Sequence, residues 1–221
     1  MTSEGDPDLL DTIVAIATPP GVGAIAVLRV SGPRAFEFEA ALHSGDPAPP
    51  RSVALRRLRD PGGRQLDEAL VTRFPAPDSY TGEDVVEIST HGGRVAPQLV
   101  LDTLVELGAR AARPGEFTQR AWLNGKLDLV QAEAVADLVE GGSRALHEVA
   151  LRQLDRGLSR RLAELREGIL SLEARLAHHV DFPEEDDAPV PISALAEEGA
   201  ALAERFEGLA ATAPAARLIR E

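Results

Sequence analysis

The chain has 221 residues, is 44% hydrophobic but only 4% aromatic, contains no cysteine and carries a formal net charge of -13. That length admits one large domain or two small ones, packed with aliphatic rather than aromatic side chains. The composition excludes disulfides, a thiol nucleophile and a broad basic face for nucleic acid, and no apolar run approaches the ~20 residues of a membrane span.

The N-terminus, MTSEGDPDLLD, is acidic and polar, unlike a signal peptide, so a cytoplasmic protein is expected. Asp11 to Thr18 (DTIVAIAT) and Ala24 to Val30 (AIAVLRV) read as strands, separated by a Pro-Pro-Gly break at 19–21. Ser31-Gly32-Pro33 ends the second run and starts a short helix over Arg34 to Leu42. The segment from Pro47 to Gly63 reads as turns around Val53 to Leu58. Leu66 to Phe74 is a strand, Pro75 to Gly82 a loop, and Val85 to Ser89 a strand ending at His91-Gly92-Gly93. Val95 to Leu107 is helical and Gly108 stops it. Several strands mixed with two helices favour an α+β domain over a βαβ repeat.

Arg113 to Asp128 reads as a polar loop, with a tight turn at Asn124-Gly125. Beyond it the period becomes helical. Asp128 can cap a helix through Glu140. From Ser143 to about Val180 an apolar stripe, including Leu151, Leu158, Leu165, Leu172 and Val180, predicts one helix roughly 55 Å long. A last helix spans Ile192 to about Ala210. These partners are too few for so long a stripe, so a further helix is expected to complete the bundle. The expected organisation is an α+β domain over 1–124 followed by an all-α helical bundle domain over 125–221.

Four other patterns have ordinary explanations. Gly21-Val22-Gly23-Ala24-Ile25-Ala26 fits a dinucleotide fingerprint, but a strand follows it where that mechanism needs a helix, so a turn is preferred. His91-Gly92-Gly93 looks like an esterase oxyanion loop, yet the chain has no G-x-S-x-G elbow. The arginines at 51, 56, 57, 59 and 64 read as the exposed face of a hairpin rather than a phosphate site. His178, His179 and the acidic run DFPEEDD read as solvated charge, not a metal site.

Four stretches together resemble the tRNA-modification GTPase family called MnmE or TrmE: DTIVAIATPPGVGAIAVLRVSGP, SYTGEDVVEISTHGG, RPGEFTQRAWLNGKLDLVQAEAVADLVE and DFPEED. The resemblance implies a folate-binding α+β domain, similar to that of the glycine-cleavage T-protein, which also forms a homodimer. It implies a helical domain interrupted by a GTPase domain that uses GTP, magnesium and potassium. With a flavin-dependent partner subunit, such proteins modify carbon 5 of the wobble uridine of certain tRNAs. The 221 residues contain no G-x-x-x-x-G-K-[ST] phosphate loop, so this stretch is expected to be an N-terminal portion that does not hydrolyse GTP alone.

The resemblance also assigns Arg29, Glu87 and Lys126 to a 5-formyltetrahydrofolate site. A pterin offers adjacent N–H and amino donors that a carboxylate accepts as a pair, which suits Glu87. Arg29 or Lys126 would hold the tail carboxylates. Read without the resemblance, Arg29 is a strand residue paired with a core carboxylate, Glu87 among the candidates. Arg120 and Asn124 are read as shaping their loop. Two other functions fit less well: a dimerisation and docking scaffold indifferent to folate, and a folate-dependent aminomethyl transferase, which the Leu-striped half does not suit.

Overall fold

The computed structural model describes residues 11–181 and 191–212. The chain divides into two compact units, Met1–Leu127 and Asp128–Glu221. The first is α+β and the second helical.

In the first unit, β1 (Ile13–Ile16), β2 (Ile25–Ser31), β3 (Val53–Arg59), β4 (Gln65–Phe74), β5 (Val85–His91) and β6 (Arg110–Ala111) form one sheet in the order β3-β4-β5-β2-β1-β6. Every pairing is antiparallel except β1 with β6. Strand alternation sends Leu28, Val30, Val71, Val86 and Ile88 to one face, where α1 (Ala35–Ala41) and α2 (Ala96–Glu106) cover them with Phe38, Val100 and Leu104. All of these side chains are buried, and the core is aliphatic as the composition requires.

The opposite face is different. It carries Arg29 opposite Glu87, Val27 opposite Ser89 and Ile25 opposite His91. On β3 and β4 it leaves Val53, Leu55 and Leu70 between 44% and 64% exposed. At one end this face is walled: Ser31 and Val85 are buried there. Exposure rises along the strands toward Ile25 and His91.

Two stretches of this unit differ from expectation. Val53–Arg59 is a strand, not turns. Its three arginines obscure the period, but pairing with β4 satisfies its backbone, and Leu58 is buried. Glu116–Leu123 is α3, not loop. Its buried face is charged, for reasons given below. The hairpin arginines have internal partners: Arg57 with Glu68, Arg64 with Asp60, and Arg59 and Arg56 with the carbonyls of Gly63 and Asp46. The glycine run at 21–23 leads into β2, as a turn should.

The helical unit contains α4 (Leu129–Glu140), α5 (Arg144–Leu154), α6 (Gly157–Asp181) and α7 (Ile192–Ala210). Asp128 caps α4 in a full capping box: its side chain accepts from the Gln131 amide at 2.9 Å, and Gln131 returns the bond at 3.1 Å. Ser143 caps α5 through the Leu146 amide. The predicted single long helix is two, because Arg156 adopts φ 61° between them. Leu165 packs into the seam of α6 with α7, where Leu195 and Leu202 are buried, and Gly168 admits Leu202. Much of the remaining stripe, at Ile169, Leu176 and Val180, is at least 44% exposed. Of the acidic run DFPEEDD, all but Asp181 lies outside the described residues.

The loops before β2 and after β5 meet backbone to backbone. Gly92 donates its amide to the Ala24 carbonyl at 2.9 Å, and any Cβ at Gly92 would run into the Gly23 carbonyl. Gly92→Ala is therefore expected to lower stability by about 1–3 kcal/mol. A thermal melt indistinguishable from the parent's would contradict this packing.

Candidate functional site

The sheet register places Arg29 and Glu87 directly opposite each other on neighbouring strands, so their side chains meet on the open face. The Arg29 Nε and Nη2 both donate to Glu87 Oε1, at 3.0 and 2.7 Å. Glu87 Oε2 accepts no hydrogen bond from the described residues. The pair is 26% and 31% exposed, half-open rather than sunk in the core. The Arg29 guanidinium also stands 5.0 Å from the Tyr80 ring centre and 5.7 Å from that of Phe117. Tyr80 is tied to α3 by a 2.9 Å bond between its hydroxyl and that of Thr118.

Lys126 makes no hydrogen bond or ion pair with either member of the pair. Its Nζ donates to the Pro77 carbonyl at 3.0 Å, and its stem lies against Gly82. It is thus fastened to the 75–84 loop, the same loop that brings Tyr80 over Arg29. Asn124 grips that loop too, donating from Nδ2 to the Thr81 carbonyl at 2.8 Å. Gly125 makes the turn between them with φ 70°.

What holds this corner together is ionic and buried. Arg120 is 1% exposed and Glu116 equally so. Arg120 Nη2 donates to Asp11 Oδ1 at 2.6 Å and to Glu116 Oε1 at 3.3 Å, and Nη1 donates to Glu83 Oε1 at 3.1 Å. Arg110, from β6, bridges Glu116 and Asp11 from the other side. Glu83 also accepts from Ser31 Oγ at 2.6 Å. The network therefore joins β2, β6, α3, the 75–84 loop and the chain entering β1.

Burial pushes the Glu116 carboxyl up, but bonds from the Arg110 guanidinium and the Arg113 amide, with the Arg110 charge, outweigh it and hold the group down at about 2. Burial likewise opposes ionisation of Asp11, and Arg110 and Arg120 again prevail, lowering it. The Glu116 bond in turn raises Arg110.

A cleft of about 760 Å³ lies at the open end of the sheet, between the 19–26 segment and the start of α2. Ile25, Gly93, Arg94 and Gln98 line it. Neither Arg29 nor Glu87 lines it.

Sequence reasoning missed Tyr80, Phe117 and the network around Glu116. Tyr80 is the chain's only tyrosine, and it lies in a Gly-containing loop that leads into a strand. Glu116 and Arg120 stand one helical turn apart, a spacing that signals a shared face once α3 is known to be helical.

The fold and site define a two-part protein, an α+β unit with a largely antiparallel sheet and an acid–guanidinium pair on its open face, and a separate helical unit. Comparison with known proteins narrows this. A family model described as "GTP-binding protein TrmE N-terminus" matches residues 12–126, and another, "MnmE helical domain", matches residues 129–221. The chain belongs to the TrmE/MnmE family. It is similar to "tRNA modification GTPase MnmE" of Halorhodospira halophila, 48% identical over 88% of this chain and 41% of that protein. The protein of the same name from Akkermansia muciniphila is 44% identical over 95% of this chain and 47% of its own length. The chain thus spans less than half the length of these relatives. No described helix is long and apolar enough to cross a membrane.

The lowered pKa of Glu116 has a pH consequence. Its folded value lies below the unfolded one, so its contribution is full above about pH 4.5 and is lost as pH falls toward 2. In Glu116→Gln, melting temperature at neutral pH is expected to drop and its decline between pH 5 and 2 to flatten, the lost contribution being about 3 kcal/mol. Parallel pH profiles for the two proteins would refute the assignment.

Proposed function

We propose that this chain is the N-terminal portion of a tRNA modification GTPase and that its α+β unit binds a formylated tetrahydrofolate. One observation carries the reading: Glu87 is held by Arg29 through a single oxygen, leaving the other to accept from a ligand. That free oxygen has two lone pairs and can accept from the adjacent N–H and amino donors of a pterin edge. Tyr80 and Phe117 wall the guanidinium and offer flat apolar surfaces beside it. Arg29 and Lys126 supply the two cations, one toward the ring and the other for the carboxylates of the tail.

The remaining parts of the full protein are proposed from the family resemblance. A GTPase domain using GTP, magnesium and potassium drives the cycle, and a flavin-dependent partner takes part in modifying carbon 5 of the wobble uridine of tRNA. A chain of net charge -13 is poorly suited to holding tRNA by itself, so the complex supplies most of that contact. The α+β domain over 1–124 also forms the homodimer, while 125–221 contributes to the helical domain. The exposed Val53, Leu55 and Leu70 on the β3–β4 half of the open face support dimer formation, since such an apolar patch favours association.

Saturating 5-formyltetrahydrofolate is expected to raise the melting temperature, with about 2.7 kcal/mol of added stability at a hundredfold excess over Kd. Glu87→Ala should remove most of that shift while retaining the fold by circular dichroism. An intact parent protein whose melting ignores the folate would end the binding assignment. For the dimer, Leu70→Arg is expected to move the sedimentation coefficient to the monomer value. A dimer unaffected by that change would place the interface elsewhere. A folate-independent dimer in the parent would favour the scaffold reading, for which the exposed stripe on α6 is the supporting observation.

A further inference from the structure

The folate reading leaves open which atoms of the ring each partner takes. Arg29 uses one N–H of Nε and one of Nη2 on the single oxygen Glu87 Oε1. A guanidinium has five such donors. The other three, Nη1 among them, donate to no described residue. Glu87 Oε2 accepts from none either. Neither Arg29 Nη1 nor Glu87 Oε2 is among the unpartnered polar atoms closed off from solvent.

The sheet keeps the space beside them clear. Read across the strands, the row on this face is Ala15, Arg29, Glu87, Thr72. Small side chains therefore flank the pair on both sides. The guanidinium rests against Tyr80 and Phe117, and the Tyr80 hydroxyl is bonded to that of Thr118. A free donor edge thus sits beside a free acceptor oxygen, and neither can turn away without giving up these contacts.

We infer that the pair reads the 2-amino-4-oxo edge of the pterin, with Arg29 as the residue that selects the 4-oxo group. Along that edge a pterin carries an amino donor, a ring N–H donor and a carbonyl acceptor in sequence. Glu87 Oε2 takes the two donors, and the carbonyl falls to a guanidinium N–H. Exchanging the carbonyl for an amino group, as in a 2,4-diaminopteridine, sets donor against donor and leaves the guanidinium N–H unpaired. A carboxylate acting alone has no such preference, because an amino group on either side of the ring nitrogen suits it. The inference rests on the folate reading and names the ring chemistry that the site distinguishes. It also gives Arg29 to the ring, which leaves Lys126 as the cation for the tail carboxylates.

The experiment measures Kd of the full chain by calorimetry for 5-formyltetrahydrofolate and for its 4-amino-4-deoxy counterpart, in parent and Arg29→Met proteins. The two ligands differ only at the ring carbonyl. Methionine keeps an unbranched apolar chain against Tyr80 and Phe117. The parent is expected to bind the carbonyl form about tenfold more tightly, the cost of one donor left unpaired. Arg29→Met should bring that ratio close to one, and the parent's two values decide the case by themselves if the variant does not fold. Equal parent affinities, or tighter binding of the amino form, would overturn the ring assignment and leave the folate reading standing. A preference that survives in folded Arg29→Met would overturn the role of Arg29. A parent that binds neither compound would overturn the folate reading, and the ring assignment with it.

Discussion

Glu116 and Arg120 lie one turn apart on α3, both closed off from water, and the corner of the α+β unit depends on how their charges are met. Isolated buried charges are costly, so each must find partners or unfold the site. Here the partners come from distant parts of the chain: Asp11 before β1, Arg110 on β6 and Glu83 in the 75–84 loop. The same bonds that neutralise the charges therefore fix where α3 and the loop sit. Phe117 and Thr118 ride on that helix, and Tyr80 on that loop. The environment of Arg29 is thus set by a network that does not touch it.

This dependence explains what could and could not be read from the residues. Strands with clean alternation, such as β2 and β5, and the helix capped by Asp128, were visible because the local signal and the final environment agree. α3 was not, because its inward side is ionic, and a hydrophobic period cannot register a face made of Glu116 and Arg120. β3 was hidden by Arg56, Arg57 and Arg59, whose stems line a strand while their heads reach carbonyls and acids. The break before α6 depends on one left-handed residue, Arg156, where no glycine announces it. β6 has two residues and exists only through its pairing with β1.

The site was legible in part. Facing positions of Arg29 and Glu87 follow from the register of β2 and β5, which the sequence allows but does not dictate. Family resemblance singled out the two residues, and the alternative of a simple ion pair also describes what they do. The two readings are compatible, because a guanidinium that engages one oxygen of a carboxylate orients the other. Lys126 is a different case. Nothing in its neighbourhood marks it beyond a bond to a loop carbonyl, so its role rests on the resemblance.

The backbone contact between Gly92 and Gly23 bears on how the cleft can evolve. Where two loops touch main chain to main chain, the gap beside them is measured in peptide units, and drift among neighbouring side chains leaves its width nearly constant.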